Sequence, residues 1–125
     1  MPGQKRSGVS RVDKVRKALF KALGEVLRYD LSDPALEHQV ISVTDLEVSA
    51  DMRHVKAYIS ILAEEGEKLK LMTLLLDLLP KIRFHLGQRV KLRFVPEVAL
   101  ALDDSLERGT RVYHLIEQLA KETRD

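Results

Sequence analysis

The residues best suited to chemistry in this chain are basic. Arg11, Lys14, Lys17, Lys21 and Arg28 recur at three-, four- and seven-residue steps, and Lys5 and Arg6 precede them. A second group follows a proline at position 80: Lys81, Arg83, Arg89, Lys91 and Arg93, with no acid until Glu97. Ammonium and guanidinium groups in such rows suit phosphate, because each contact displaces condensed counterions. The net charge is only +2, but it is unevenly placed. Residues 1–28 hold eight lysines and arginines against two acids, a net of +6, and the remainder holds thirteen against seventeen, a net of −4. Such asymmetry bears on partners rather than on fold. An anionic partner meeting the N-terminal part is the plain reading, and a solvated helix face is the alternative. A solubilising face would normally mix both signs with i,i+4 pairs, and this row does not.

Other chemistries find little support. There are no cysteines, which excludes disulfides, thiol nucleophiles and cysteine-ligated zinc. His38, His54, His85 and His114 lack metal-ligand spacing, so no metal and no cofactor are expected. Glu97, Asp103 and Asp104 could suggest a two-metal nuclease, but Asp103 and Asp104 stand where a helix should begin, and capping explains them better. Ser49, Ser60 and Ser105 have no nucleophile-elbow context, and no glycine-rich phosphate loop occurs. The six aromatic residues place too few rings on one sheet face for an RNA-stacking platform; Phe20 and Tyr58 are candidates for exposure. The N-terminus shows no secretory signal, and no apolar run approaches the ~20 residues that span a bilayer. No membrane association is expected.

The elements that must position these cations are legible in outline. Residues 1–9 read as a flexible arm. Ser10 and Asp13 have capping-box spacing. Val12, Val15, Leu19, Leu23 and Val26 then form an apolar stripe, with the lysines roughly opposite at about 100° per residue. "SDPALEHQ" (32–39) is a connection. "VISVTDLEVS" (40–49) reads as a strand whose apolar phase slips between Val43 and Leu46, which predicts a bulge or a change of covered face. "HVKAYISIL" (54–62) alternates cleanly, and the short link predicts an antiparallel hairpin with one sheet face left uncovered. A helix follows "AEEGEK", with Leu69, Met72, Leu75 and Leu79 as its inward side. Pro80 breaks it and opens a second helix with Ile82, Leu86 and Val90 inward. "LRFVPEVALAL" (92–102) reads as a strand with Leu92, Phe94, Val98, Leu100 and Leu102 inward, Pro96 marking an edge, a boundary or a bulge. An amphipathic helix closes the chain, capped by Asp104 or Ser105. One domain over 10–122 is expected, with 123–125 a short end.

The order α-β-β-α-kink-α-β-α predicts an α+β fold, a three-stranded mixed sheet with helices packed on one face. It is the order of a KH-like RNA-binding domain of the bacterial type with an added helix. In KH domains a GXXG loop between two helices clamps a nucleic-acid backbone, and the break at Pro80 falls there. "SDPAL", "VTDLEVSADMRHVKAYIS", "IRFHLGQRVKLRFVPEVAL" and "DDSLERGTRV" resemble, in wording and spacing, the bacterial ribosome-binding factor A family, from about Val12 to Leu119. That resemblance implies a non-enzymatic factor that binds the free small (30S) ribosomal subunit and 16S rRNA, assists late 30S maturation and 16S precursor processing, and matters for growth in the cold. The family's Ala-x-Gly kink is replaced here by Leu78, Leu79 and Pro80, which do not allow the close backbone approach of glycine.

If Pro80 opens a helix, the amides of Lys81, Ile82 and Arg83 lie at its positive end without intrahelical acceptors. The first turn is then expected to hold an RNA phosphate, with Arg89, Lys91 and Arg93 continuing the track; wetted amides are the alternative. The chain is expected to act as a cytoplasmic monomer. Two rival readings are a KH-like binder of RNA without ribosomal specificity and a small RNA-processing nuclease.

Overall fold

The computed structural model describes residues 10–103, so the arm expected at residues 1–9, with Lys5 and Arg6, and the closing helix expected from Asp104 lie outside the described residues. The first helix, α1, spans Arg11–Glu25. It begins where the capping box predicts. Ser10 is extended, its hydroxyl accepts the Asp13 amide at 3.1 Å, and the Asp13 carboxylate accepts the Ser10 amide at 3.4 Å. Such a cap contributes about 1 kcal/mol. Leu19, Ala22 and Leu23 are buried, and Val12 and Val15 flank them half-buried. The helix widens into a π turn, Val26–Asp30, that keeps Val26 in the core. Asp33 then caps a short 3-10 turn, Pro34–Leu36, by accepting the Ala35 amide at 2.9 Å.

Strands β1 (Val40–Val48) and β2 (His54–Leu62) form the antiparallel hairpin. Their register shifts between Val43 and Asp45, so Thr44 has no rung of its own. The bulge is what lets Val43 and Leu46, three apart, both reach the core face. On β2 Val55, Ala57, Ile59 and Ile61 are buried, whereas Lys56, Tyr58 and Ser60 lie on the opposite face. Fully burying one such Ile or Val is worth about 1.5–3 kcal/mol.

The polypeptide next makes α2 (Glu65–Asp77) and α3 (Leu79–Arg89). A single residue joins them. Leu78 (φ −91°, ψ 4°) donates its amide to Leu74 and Leu75 and accepts the Ile82 amide at 2.9 Å. Leu79 is the first residue of α3 and Pro80 the second, where its missing N–H leaves no bond unmade. The crossover returns the chain to add β3 (Glu97–Leu102) parallel to β2, giving the sheet order β1-β2-β3. The fold is α+β, with a three-stranded mixed sheet whose inward face packs on Leu19, Leu23, Leu75, Ile82 and Leu86 of the helices.

Two expectations fail in detail. On α2 Leu69 is 63% exposed and Leu71 is buried instead, beside Leu75. The strand read from residue 92 begins only at Glu97, and Phe94 points outward, 61% exposed. Pro96 is the boundary: it is buried, it offers no N–H, and the first rung is made by the Glu97 amide to the Arg53 carbonyl at 2.9 Å.

Candidate nucleic-acid interface

Helix α1 presents Arg11, Lys14, Lys17 and Lys21 to solvent, and Arg28 continues them on the π turn. None of the five makes an ion pair among the described residues. The one acid spaced to meet Lys21 on the helix, Glu25, is instead bonded by Arg89 at 3.1 Å. The row is unfavourable for the helix that carries it. Lys14, Lys17 and Lys21 stand three and four apart, where like charges cost about 0.2–0.5 kcal/mol per pair. Arg11 and Lys14 sit at the end where the helix dipole disfavours cations, and the last turn has no base. Among the described residues nothing docks on this exposed face, which suits it to a partner. Phe20, 38% exposed, interrupts this row.

The group after the proline divides. Arg83, half-buried, donates Nε to the Pro96 carbonyl and Nη2 to the Val95 carbonyl, both at 3.0 Å. It pins the segment that leads into β3. Arg89 grips the π turn: Nε and Nη2 meet the two Asp30 oxygens at 2.7 and 2.9 Å, while Nη1 takes Glu25. The Arg89 hydrogen bonds hold the Asp30 carboxyl below its usual range and push the guanidinium up. Lys81 is exposed, but the cleft of about 240 Å³ that it shares with His85 also carries Asp30 and Asp33. The Ile82 amide is already bonded to the Leu78 carbonyl at 2.9 Å, so it is not one of the free amides expected in the first turn of α3. Lys91 and Arg93 remain exposed, without an ion pair among the described residues.

The structure adds two residues not singled out from the sequence for this face. The Arg53 guanidinium lies 5.4 Å from the Phe94 ring centroid, and that of Arg93 lies 6.0 Å from it. No sequence signal joins positions 53 and 94; the parallel pairing of β2 with β3 does. Among the described residues no cluster of acids and histidines could hold a metal ion, and no helix is long and apolar enough to cross a membrane.

A chain of this fold has relatives. The family model described as ribosome-binding factor A matches residues 11–116. The chain belongs to the ribosome-binding factor A family. A ribosome-binding factor A of Caldicellulosiruptor bescii is 38% identical over 110 residues, 87% of this chain and 83% of the relative. That of Clostridium acetobutylicum is 37% identical over 109 residues, covering 87% and 89%. Among solved structures, the solution structure of a Thermotoga maritima protein, a putative ribosome-binding factor A, superposes with a TM-score of 0.66 at 24% identity, covering 78% of this chain and 91% of that one. A homology model of the Thermus thermophilus ribosome-binding factor A, fitted into the cryo-EM map of a complex with the 30S subunit, gives 0.56 at 23% identity, covering 70% and 90%. At these identities the solved structures speak for the fold.

Proposed function

We propose that this member of the ribosome-binding factor A family binds the free 30S ribosomal subunit, contacts 16S rRNA through the exposed face of α1, and assists late 30S maturation and 16S precursor processing in the cytoplasm. It acts as a monomer, without cofactor and without cutting RNA itself. The observation that carries this reading is the cation row Arg11, Lys14, Lys17 and Lys21, which is exposed and makes no ion pair among the described residues. Lys91 and Arg93 extend the basic surface elsewhere. The placement of the Thermus thermophilus relative in a 30S complex supports the choice of partner. The mechanism is occupancy. Docking favours the local rRNA conformation that fits the protein better, by its difference in affinity between conformations.

With about five phosphates neutralised, affinity for the subunit falls roughly two to three decades from about 50 to about 200 mM salt. The test is co-sedimentation with purified free 30S subunits over a salt series, comparing wild type with the Lys14→Gln, Lys17→Gln, Lys21→Gln triple variant. The variant's log–log salt slope is expected to be shallower by about two to three. An unchanged slope and affinity would refute the assignment of this face. Equal affinity for unrelated RNA would favour the KH-like binder without ribosomal specificity.

A further inference from the structure

We propose that Phe94, between Arg53 and Arg93, is a stacking site for an unpaired RNA base, separate from the phosphate-binding face of α1; this rests on the proposed RNA-binding reading. A phenyl ring 61% exposed leaves a large apolar surface in water, and the sequence pattern expects it inside. It is held outside by construction. Just C-terminal to Phe94, Arg83 pins the Val95 and Pro96 carbonyls, and Pro96 is buried. Val95 lies so close to α3 that a Cβ added at Gly87 would stand 2.9 Å from its Cγ2, which leaves this stretch little freedom to turn the ring inward.

The other side of the site is equally fixed. Arg53 leaves a turn in which Met52 adopts the left-handed φ of 60°. The Ser49 hydroxyl donates to Asp51 at 2.7 Å, and Asp51 accepts the Arg53 amide at 3.0 Å. The Arg53 carbonyl then holds the Glu97 amide. Ring and guanidinium are therefore presented by two backbones tied to each other, so a ligand has only side chains to order. The guanidiniums lie 5.4 and 6.0 Å from the ring centroid and have no ion pair among the described residues. They lie over the ring as cation–π contacts, and the ring is still 61% exposed. Aromatic rings with arginines are the recurring platform for single-stranded nucleic acid: the base takes the exposed ring surface, and its flanking phosphates draw the arginines to themselves. The two arginines at the ring favour that anionic ligand over an apolar protein surface.

The test measures affinity for a single-stranded oligouridylate of about ten nucleotides and for an abasic ribose-phosphate strand of equal length, within the usual site size of such platforms. Wild type, Phe94→Ala, Phe94→Trp and the Arg53→Gln, Arg93→Gln double variant are compared, with thermal melts to verify folding. Phe94→Ala is expected to weaken oligouridylate binding about tenfold, leave abasic binding unchanged and be rescued by Phe94→Trp. The double variant weakens both strands. Equal loss on both strands with Phe94→Ala, no loss on either, or failure of wild type to prefer the base-bearing strand overturns the site. Subunit co-sedimentation is a separate readout: its loss removes the ribosomal assignment, whereas a silent Phe94→Ala removes the stacking site and leaves subunit binding intact.

Discussion

Replacing Arg83 separates a structural arginine from an RNA-binding one. Its guanidinium makes two hydrogen bonds of 3.0 Å to the Val95 and Pro96 carbonyls. A bond from a charged donor contributes about 1.5–3 kcal/mol when fully sheltered, and truncation leaves its acceptors to find water. Arg83 is only half-buried, so water can reach part of the site. The combined loss in Arg83→Met is therefore about 2 kcal/mol, below the ~3 kcal/mol at which two fully sheltered bonds would start. For a domain of this size that lowers Tm by roughly 8–10 °C. Arg83→Lys keeps the charge but not the fork, reaches at most one carbonyl, and recovers less than half of the loss. Urea denaturation gives the stability change directly, as a lower midpoint at constant slope. Affinity for the 30S subunit is measured on the same three proteins below their melting range. The structural role predicts that stability falls in both variants while subunit affinity changes less than about threefold, a factor worth well under 1 kcal/mol. If Arg83→Met melts like wild type but binds about tenfold more weakly, and lysine restores binding, the pin is wrong and Arg83 is a phosphate ligand.

The Arg89 grip should be visible in acid. The Asp30 carboxyl is held low chiefly by its hydrogen bonds to Arg89, so its contribution is fully present above the ordinary carboxylate range and is lost as pH falls through its lowered folded value. The Tm difference between wild type and Arg89→Met is therefore constant near neutrality and shrinks below about pH 4, as thermal melts across pH would record. A difference that stayed constant to the lowest pH would contradict this. Thr44 donates its hydroxyl to the buried Asp103 carboxylate from the bulge of β1. Thr44→Val is expected to cost about 1–3 kcal/mol in urea denaturation, and an isosteric swap costing nothing would deny the bulge that purpose.

What was legible in the sequence is what local physics decides. The Ser10–Asp13 box works within one turn, and the slip between Val43 and Leu46 marks the bulge because a strand cannot otherwise bury both. Pro80 announces its break through the amide it lacks. The misreadings share a cause. "LKLMTLLLD" offers apolar residues on most sides of α2, so periodicity cannot choose between Leu69 and Leu71; the sheet and α3 do. Phe94 fits an alternation that continues across Pro96, but pairing starts only after it. Arg83 and Arg89 look like their basic neighbours because their partners lie 12 to 64 positions away. Charge is readable from composition, whereas its engagement by carbonyls and carboxylates is a tertiary fact.

The parallel pairing of the last strand also bears on biosynthesis. Val55 finds its neighbour Val98 only after a crossover of two helices. While the ribosome is still making that stretch, the nascent hairpin carries the bare margin of its future central strand, lined by Val55, Ala57 and Ile59. Such a margin invites pairing with foreign chains. Translational pausing before Glu97 would lengthen that vulnerable interval, and slow crossover closure, rather than hairpin formation, should limit how fast the newborn molecule becomes safe from self-association.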